Sequence, residues 1–103
     1  MRRLDAGNMK DDKFQKENKE LERVLKVLAN RRRLHIIKYL KDHKEASVSE
    51  IAKNVKLSFK ATSKHLGLLS ARDIVEKEQR SLRVFYSLAE TLPKIASDVL
   101  GTL

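Results

Sequence analysis

Apolar residues recur along this chain first at spacings of three and four, then at a spacing of two, and finally at three and four again. From Lys13 to Ala29 they fall at Phe14, Leu21, Val24, Leu25 and Leu28, a narrow stripe that predicts one amphipathic helix with a solvated, charge-paired face. Asn30 is a good cap for a second helix over 31–41, whose buried side draws on Leu34, Ile37 and either Tyr39 or Leu40, with Ile36 close by. Residues 44–46 read as a connector. Ser47-Val48-Ser49-Glu50 fits the reciprocal pattern in which a Ser hydroxyl and a Glu carboxylate each satisfy a free backbone N–H. It opens a third helix over 48–54 that buries Val48, Ile51 and Ala52. Val55-Lys56-Leu57 makes a turn, and Ser58 caps a fourth helix reaching about Ser70. In that helix Ala61, His65, Leu66 and Leu69 point inward, and Phe59, Lys60, Ser63 and Lys64 point outward.

After Arg72-Asp73 the period becomes two. Ile74 and Val75 start a strand through Gln79, residues 80–82 form a tip, and Arg83 to Leu88 return with Val84 and Tyr86 on one face. Thr91 and Pro93 open a last helix over 92–103, which carries Leu92, Ile95, Ala96, Val99 and Leu100. The pattern therefore predicts a mainly α fold with a small β-hairpin, in the order α-α-α-α-β-β-α: a winged helix-turn-helix. Residues 1–12 are expected to be a flexible tail, and 13–103 one domain. A chain of 103 residues has room for no second one.

Charge then selects partners. Twenty-three Lys and Arg against fourteen Asp and Glu give a formal charge of +9, which attracts polyanions without saying which. The chain has no cysteine, so disulfides, thiolate metal sites and thiol redox chemistry are excluded. No apolar run approaches the roughly 20 residues of a membrane span, and the polar N-terminal stretch is unlike a secretory signal. The expected location is the cytoplasm. Only three glycines exist, no phosphate-cradling glycine loop is present, and no nucleophile stands with a base, so an enzyme is not expected.

The order and spacing of three stretches resemble the arsenical-resistance-repressor (ArsR-type) family of winged-helix regulators. Leu28-Ala29-Asn30-Arg31-Arg32-Arg33-Leu34-His35-Ile36-Ile37 resembles the family's L-A-D-P-x-R-x-x-I-L opening. Val48-Ser49-Glu50-Ile51-Ala52 resembles its first helix-turn-helix helix. Leu57-Ser58, Ser63-Lys64-His65-Leu66 and Leu68-Leu69 resemble its recognition helix, with Ile74-Val75 and Tyr86-Ser87-Leu88 at the ends of the wing. Asn30-Arg31 replaces D-P, Asp73 and Ser81 stand where the family prefers Gly, and Thr62 replaces an apolar core residue. Gly67 removes a side chain near the end of the recognition helix.

The resemblance implies a sequence-specific, double-stranded-DNA-binding transcription regulator, a homodimeric repressor that reads an inverted repeat. Helix 58–70 would enter the major groove, and wing 75–88 would lie on the backbone or in the minor groove. The candidate DNA contacts are Ser58, Phe59, Lys60, Ser63 and Lys64 on the helix. On the wing they are Lys77, Arg80 and Arg83, read as one cluster near the tip, with Arg80 the first choice. Arg31 and Arg32 are candidates for phosphate, while Arg33 is assigned a structural role. The terminal helices, 13–29 and 92–103, would pair across a two-fold axis through Phe14, Leu21, Leu25, Leu92, Ile95 and Val99. A monomer with those helices folded on its own core is the competing arrangement. The family's metal sites do not carry over: Cys is absent, and Asp98 on the last helix has no His beside it. No metal or cofactor is expected, and the effector is not given by the sequence. A winged-helix module for protein contacts, or a non-specific nucleic-acid binder that also takes RNA, would share the same pattern.

Overall fold

The computed structural model describes residues 9–103. Its elements are α1 (Met9–Leu28), α2 (Arg31–His43), β1 (Glu45–Ser47), α3 (Val48–Val55), α4 (Phe59–Ala71), β2 (Val75–Arg80), β3 (Arg83–Leu88) and α5 (Lys94–Leu100). The described residues form five helices and a three-stranded antiparallel sheet with strand order β1-β3-β2.

The caps fall where side-chain chemistry places them. Asn30 accepts from the backbone N–H groups of Arg32 and Arg33. At the start of α3, Ser47 N–H donates to Glu50 Oε1 at 2.8 Å and Glu50 N–H donates to Ser47 Oγ at 3.2 Å. Ser58 Oγ accepts from Ala61 N–H at 3.0 Å. Each bond satisfies a donor that the helix cannot serve internally. Lys56 closes α3 in the left-handed region, which turns the chain sharply into α4.

The core joins all the elements: Val24 and Leu28 of α1, Ile36, Ile37 and Leu40 of α2, Ile51 and Val55 of α3, Leu66 and Leu69 of α4, Ile74, Val75, Tyr86 and Ala96. Thr62 is also fully buried. Its hydroxyl donates to Ser58 O at 2.8 Å, so a polar side chain occupies the core without an unmet hydrogen bond.

Four expectations change. Glu45 and Ala46, read as connector, join Ser47 in β1, with Glu45, Ala46 and Ser47 opposite Ser87, Tyr86 and Phe85. Helix α1 begins at Met9, inside the stretch read as tail; the remainder of that tail lies outside the described residues. Helix α5 begins at Lys94 rather than Leu92, with Pro93 as its N-cap residue and no side-chain cap, so Thr91 does not cap it. Finally, His65 is only half-buried, because it sits at the rim of the α2–α4 contact. No described helix is long and apolar enough to cross a membrane.

Candidate nucleic-acid interface

Helix α4 is amphipathic in a way its position dictates. Thr62, Leu66 and Leu69 face the core, and Phe59, Lys60 and Lys64 face out. Ser63 is half-buried beside them, and Ser58 is exposed at the cap. Among the described residues neither Lys60 nor Lys64 is paired with a carboxylate. Two unpaired ammonium groups four residues apart therefore flank the positive end of the α4 dipole. Arg31 and Arg32 are exposed at the start of α2 and are likewise unpaired.

Arg33 behaves differently from its neighbours. Its Nε donates to Val27 O, its Nη2 to Lys26 O at 3.4 Å, and its Nη1 to His65 Nδ1 at 3.1 Å. Guanidinium has no acceptor, so His65 Nδ1 must accept and the imidazole carries its proton on Nε2. Burial, followed by the positive charges of Arg33, Arg32 and Lys64, lowers the His65 pKa below its ordinary value. One side chain thus ties the C-terminus of α1 and the start of α2 to the middle of α4.

The wing is held by a second tie. Arg80 makes a two-pronged pair with Glu45 of β1, at 2.7 and 2.6 Å, and a further contact with Glu78 at 2.8 Å. The guanidinium groups of Arg80 and Arg83 both stack on Phe85, 4.8 and 5.0 Å from the ring centre. The hydrogen bond from Arg80 holds the Glu45 carboxyl below its ordinary pKa. The structure therefore places Arg80 in an intramolecular clamp, a role that no reading of residues 80–83 alone shows, because Glu45 lies 35 residues away.

The basic cluster expected at the wing is divided as well. Arg80 stands opposite Arg83, and Glu78 opposite Phe85, whereas Lys77 stands opposite Tyr86. Side chains alternate along a strand, so Lys77 lies on the sheet face away from Arg80 and Arg83. At the tip, Ser81 takes a left-handed φ of 58° and Leu82 is 95% exposed.

The dimerisation candidates also separate. Phe14, Leu21 and Leu25 of α1 remain exposed, while Leu92, Ile95 and Val99 pack partly against the domain's own core. No group of three or more His, Cys, Asp or Glu among the described residues is arranged to hold a metal ion.

A helix-turn-helix with an exposed cationic helix, followed by a hairpin anchored to the same sheet, defines a winged-helix DNA-binding protein. The comparisons with known proteins give the family. The model for "bacterial regulatory protein, arsR family" matches residues 30–77. The transcriptional activator HlyU of Vibrio cholerae is 33% identical over 100 residues, covering 97% of this chain and 92% of that protein. The chain belongs to the ArsR family and is a DNA-binding transcription regulator.

Solved structures agree. Reduced HlyU from Vibrio cholerae superposes with a TM-score of 0.73 at 32% identity, over 88% of this chain and 92% of that one. NolR from Sinorhizobium fredii gives 0.78 at 27% identity, over 99% and 92%. Mb0332 from Mycobacterium bovis, described as a homodimeric winged helix-turn-helix DNA-binding domain and a possible ArsR-family regulator, gives 0.76 at 26% identity, over 95% and 85%.

Proposed function

We propose that this protein works in the cytoplasm as a homodimer that binds an inverted-repeat operator in double-stranded DNA and regulates transcription by occupying it. Helix α4 enters the major groove with Phe59, Lys60, Ser63 and Lys64 at the duplex. Arg83 and the wing tip follow the neighbouring backbone, and Arg31 and Arg32 flank the site at phosphate. The observation that carries this reading is the division of α4, with Thr62, Leu66 and Leu69 fully buried and two unpaired lysines on the opposite side. Mb0332 is described as homodimeric, and the exposed Phe14, Leu21 and Leu25 stripe on α1 supports the same assembly here. A two-fold axis would set two α4 helices about 34 Å apart, one turn of B-DNA. Occupancy over a promoter excludes polymerase, so repression is the direct consequence of binding there.

The test begins with selection of bound fragments from random duplex DNA, which should return a palindrome. Binding to that palindrome is then measured against salt for the native protein and for Lys60→Ala/Lys64→Ala. Each lost phosphate contact reduces the slope of log affinity against log salt by about 0.9, so the double variant should bind much more weakly and with a shallower slope. Unchanged affinity and slope would refute the placement of α4. A reporter with the palindrome across its promoter should show lower expression when the protein is present.

A further inference from the structure

With Arg80 engaged by Glu45 and Glu78, the groups that the wing tip offers to a partner are Arg83 and Leu82. We propose that Leu82 is an apolar wedge that enters the minor groove of the bound duplex and reads the deformability of the base step beneath it. This rests on the proposed docking of α4 and adds a specificity determinant that touches no base edge.

Three observations lead to this assignment. Leu82 is 95% exposed, the most exposed large apolar side chain of the described residues, so it contributes almost nothing to folding. Of the two tip residues Ser81 takes the left-handed φ, the position where such turns favour Gly or Asn, so the turn's backbone does not call for a leucine at 82. Second, the tip is braced by contacts within the chain. The Arg80 clamp, the stacking of Arg80 and Arg83 on Phe85 and the left-handed Ser81 fix its direction, so little freedom is lost on contact. Third, the wedge is continuous with the α4 surface. Leu82 and Arg83 line one groove of about 270 Å³ with Ser49 and with Phe59, itself 60% exposed at the first position of α4.

A groove with an aromatic ring on the recognition-helix side, and a leucine beside an unpaired arginine on the wing side, matches a sugar–phosphate strand running between the two grooves of DNA. The cation neutralises phosphate, and the apolar tip meets the minor-groove floor. Apolar wedges inserted at a base step partly unstack it. Pyrimidine–purine steps yield most easily, so the wedge would favour operators with such a step under each wing.

The experiment compares the native protein with Leu82→Ala and Leu82→Ser, using the selected operator and a random duplex of equal length. Affinity is read by fluorescence anisotropy, and DNA bending by energy transfer between end labels. Leu82→Ala should bind the operator about tenfold more weakly, a loss the size of one partly buried leucine. It should leave random-duplex binding and thermal melting unchanged, reduce the bend and lose the preference for a flexible step. Unchanged operator affinity and bend in both Leu82 variants would overturn the wedge. The Lys60→Ala/Lys64→Ala protein separates the two ideas. If it loses operator binding while the Leu82 variants do not, the wedge alone fails. If it binds as the native protein does, the docking and the wedge fail together.

Discussion

Replacing Arg33 by Ala should cost this domain about 2–3 kcal/mol, and the figure follows from counting carbonyl groups. The last turn of α1 has four carbonyls without an intrahelical partner. Leu25 O accepts from Ala29 N–H at 2.9 Å, and Leu28 O accepts from Asn30 N–H at 2.7 Å. The remaining two, on Lys26 and Val27, are served by Arg33. A hydrogen bond to a charged group contributes about 1.5–3 kcal/mol. The Val27 contact falls in that range because it is partly buried, while the longer, exposed Lys26 contact adds little. The positive charge also sits at the negative end of the α1 dipole. A loss of that size lowers Tm by roughly 10 °C or more in a domain of this length. Urea denaturation measures the loss directly: the midpoint should fall while the slope m stays constant. Arg33→Lys, which keeps the charge but reaches fewer acceptors, should lie between the two. A destabilisation of Arg33→Ala below about 0.5 kcal/mol, the range of ordinary surface substitutions, would refute this reasoning.

Four further outcomes follow from other features of the same fold. Gly67 lies inside α4 and an added Cβ would meet nothing within 4 Å, so Gly67→Ala should stabilise the protein by about 1 kcal/mol, read as a higher denaturation midpoint; a lower one would contradict the open space. Lys44 has φ 62° and ψ −54° between α2 and β1, a conformation costly for any residue with a Cβ, and Lys44→Gly should raise stability by about 1 kcal/mol after the extra chain entropy of Gly; a drop would show the strain is absent. Burial and the neighbouring cations hold the folded-state pKa of His65 below the ordinary histidine value, so the unfolded chain takes up that proton first. The contribution of His65 is therefore complete above that value and declines as pH falls through the folded pKa. His65→Asn, which keeps an acceptor for Arg33, should show a smaller loss of stability than the native protein as pH falls from neutrality through the ordinary histidine range and below; equal losses would exclude His65 as the source. Leu25→Glu places a charge in the exposed α1 stripe and should convert a dimer to a monomer in sedimentation, while the helical signal of the domain persists; an unchanged mass would remove Leu25 from the interface.

The parts of this fold legible in the sequence are those fixed by residues close together in the chain. The reciprocal bonds of Ser47 and Glu50, the Ser58 cap and the Asn30 cap span two or three residues, and side-chain chemistry alone specifies them. The inward stripes of α3 and α4 follow from period. What escaped depends on partners far away. Strand β1 is three residues long, and its partners lie at 85–87, so no local alternation marks it. Arg80 looks like a free cation at a basic tip until Glu45 is brought beside it. Lys77 joins the same cluster in sequence, but three residues from Arg80 on a period of two puts it on the other face. Thr62 looks out of place in an apolar stripe, yet its hydroxyl reaches the carbonyl one turn back.

The long-range contacts that the sequence concealed are also the ones that set the geometry of the candidate site. A duplex can be gripped by a helix and a wing together only if their separation is constant, and two independent ties fix it. On one side, Arg33 joins the end of α1 to His65 in the middle of α4, and Arg72 at the end of α4 pairs with Glu20 of α1 at 3.0 Å. On the other, β1 runs directly into Ser47 and α3, while its Glu45 holds Arg80 at the wing tip. Helix α4 is therefore braced against α1, and the wing is braced against the first residues of the helix-turn-helix. Because α1 also carries the exposed apolar stripe, Arg33 and Arg72 connect that helix to α4 at its surface, alongside the core cluster that Val24 and Leu28 share with Leu66 and Leu69.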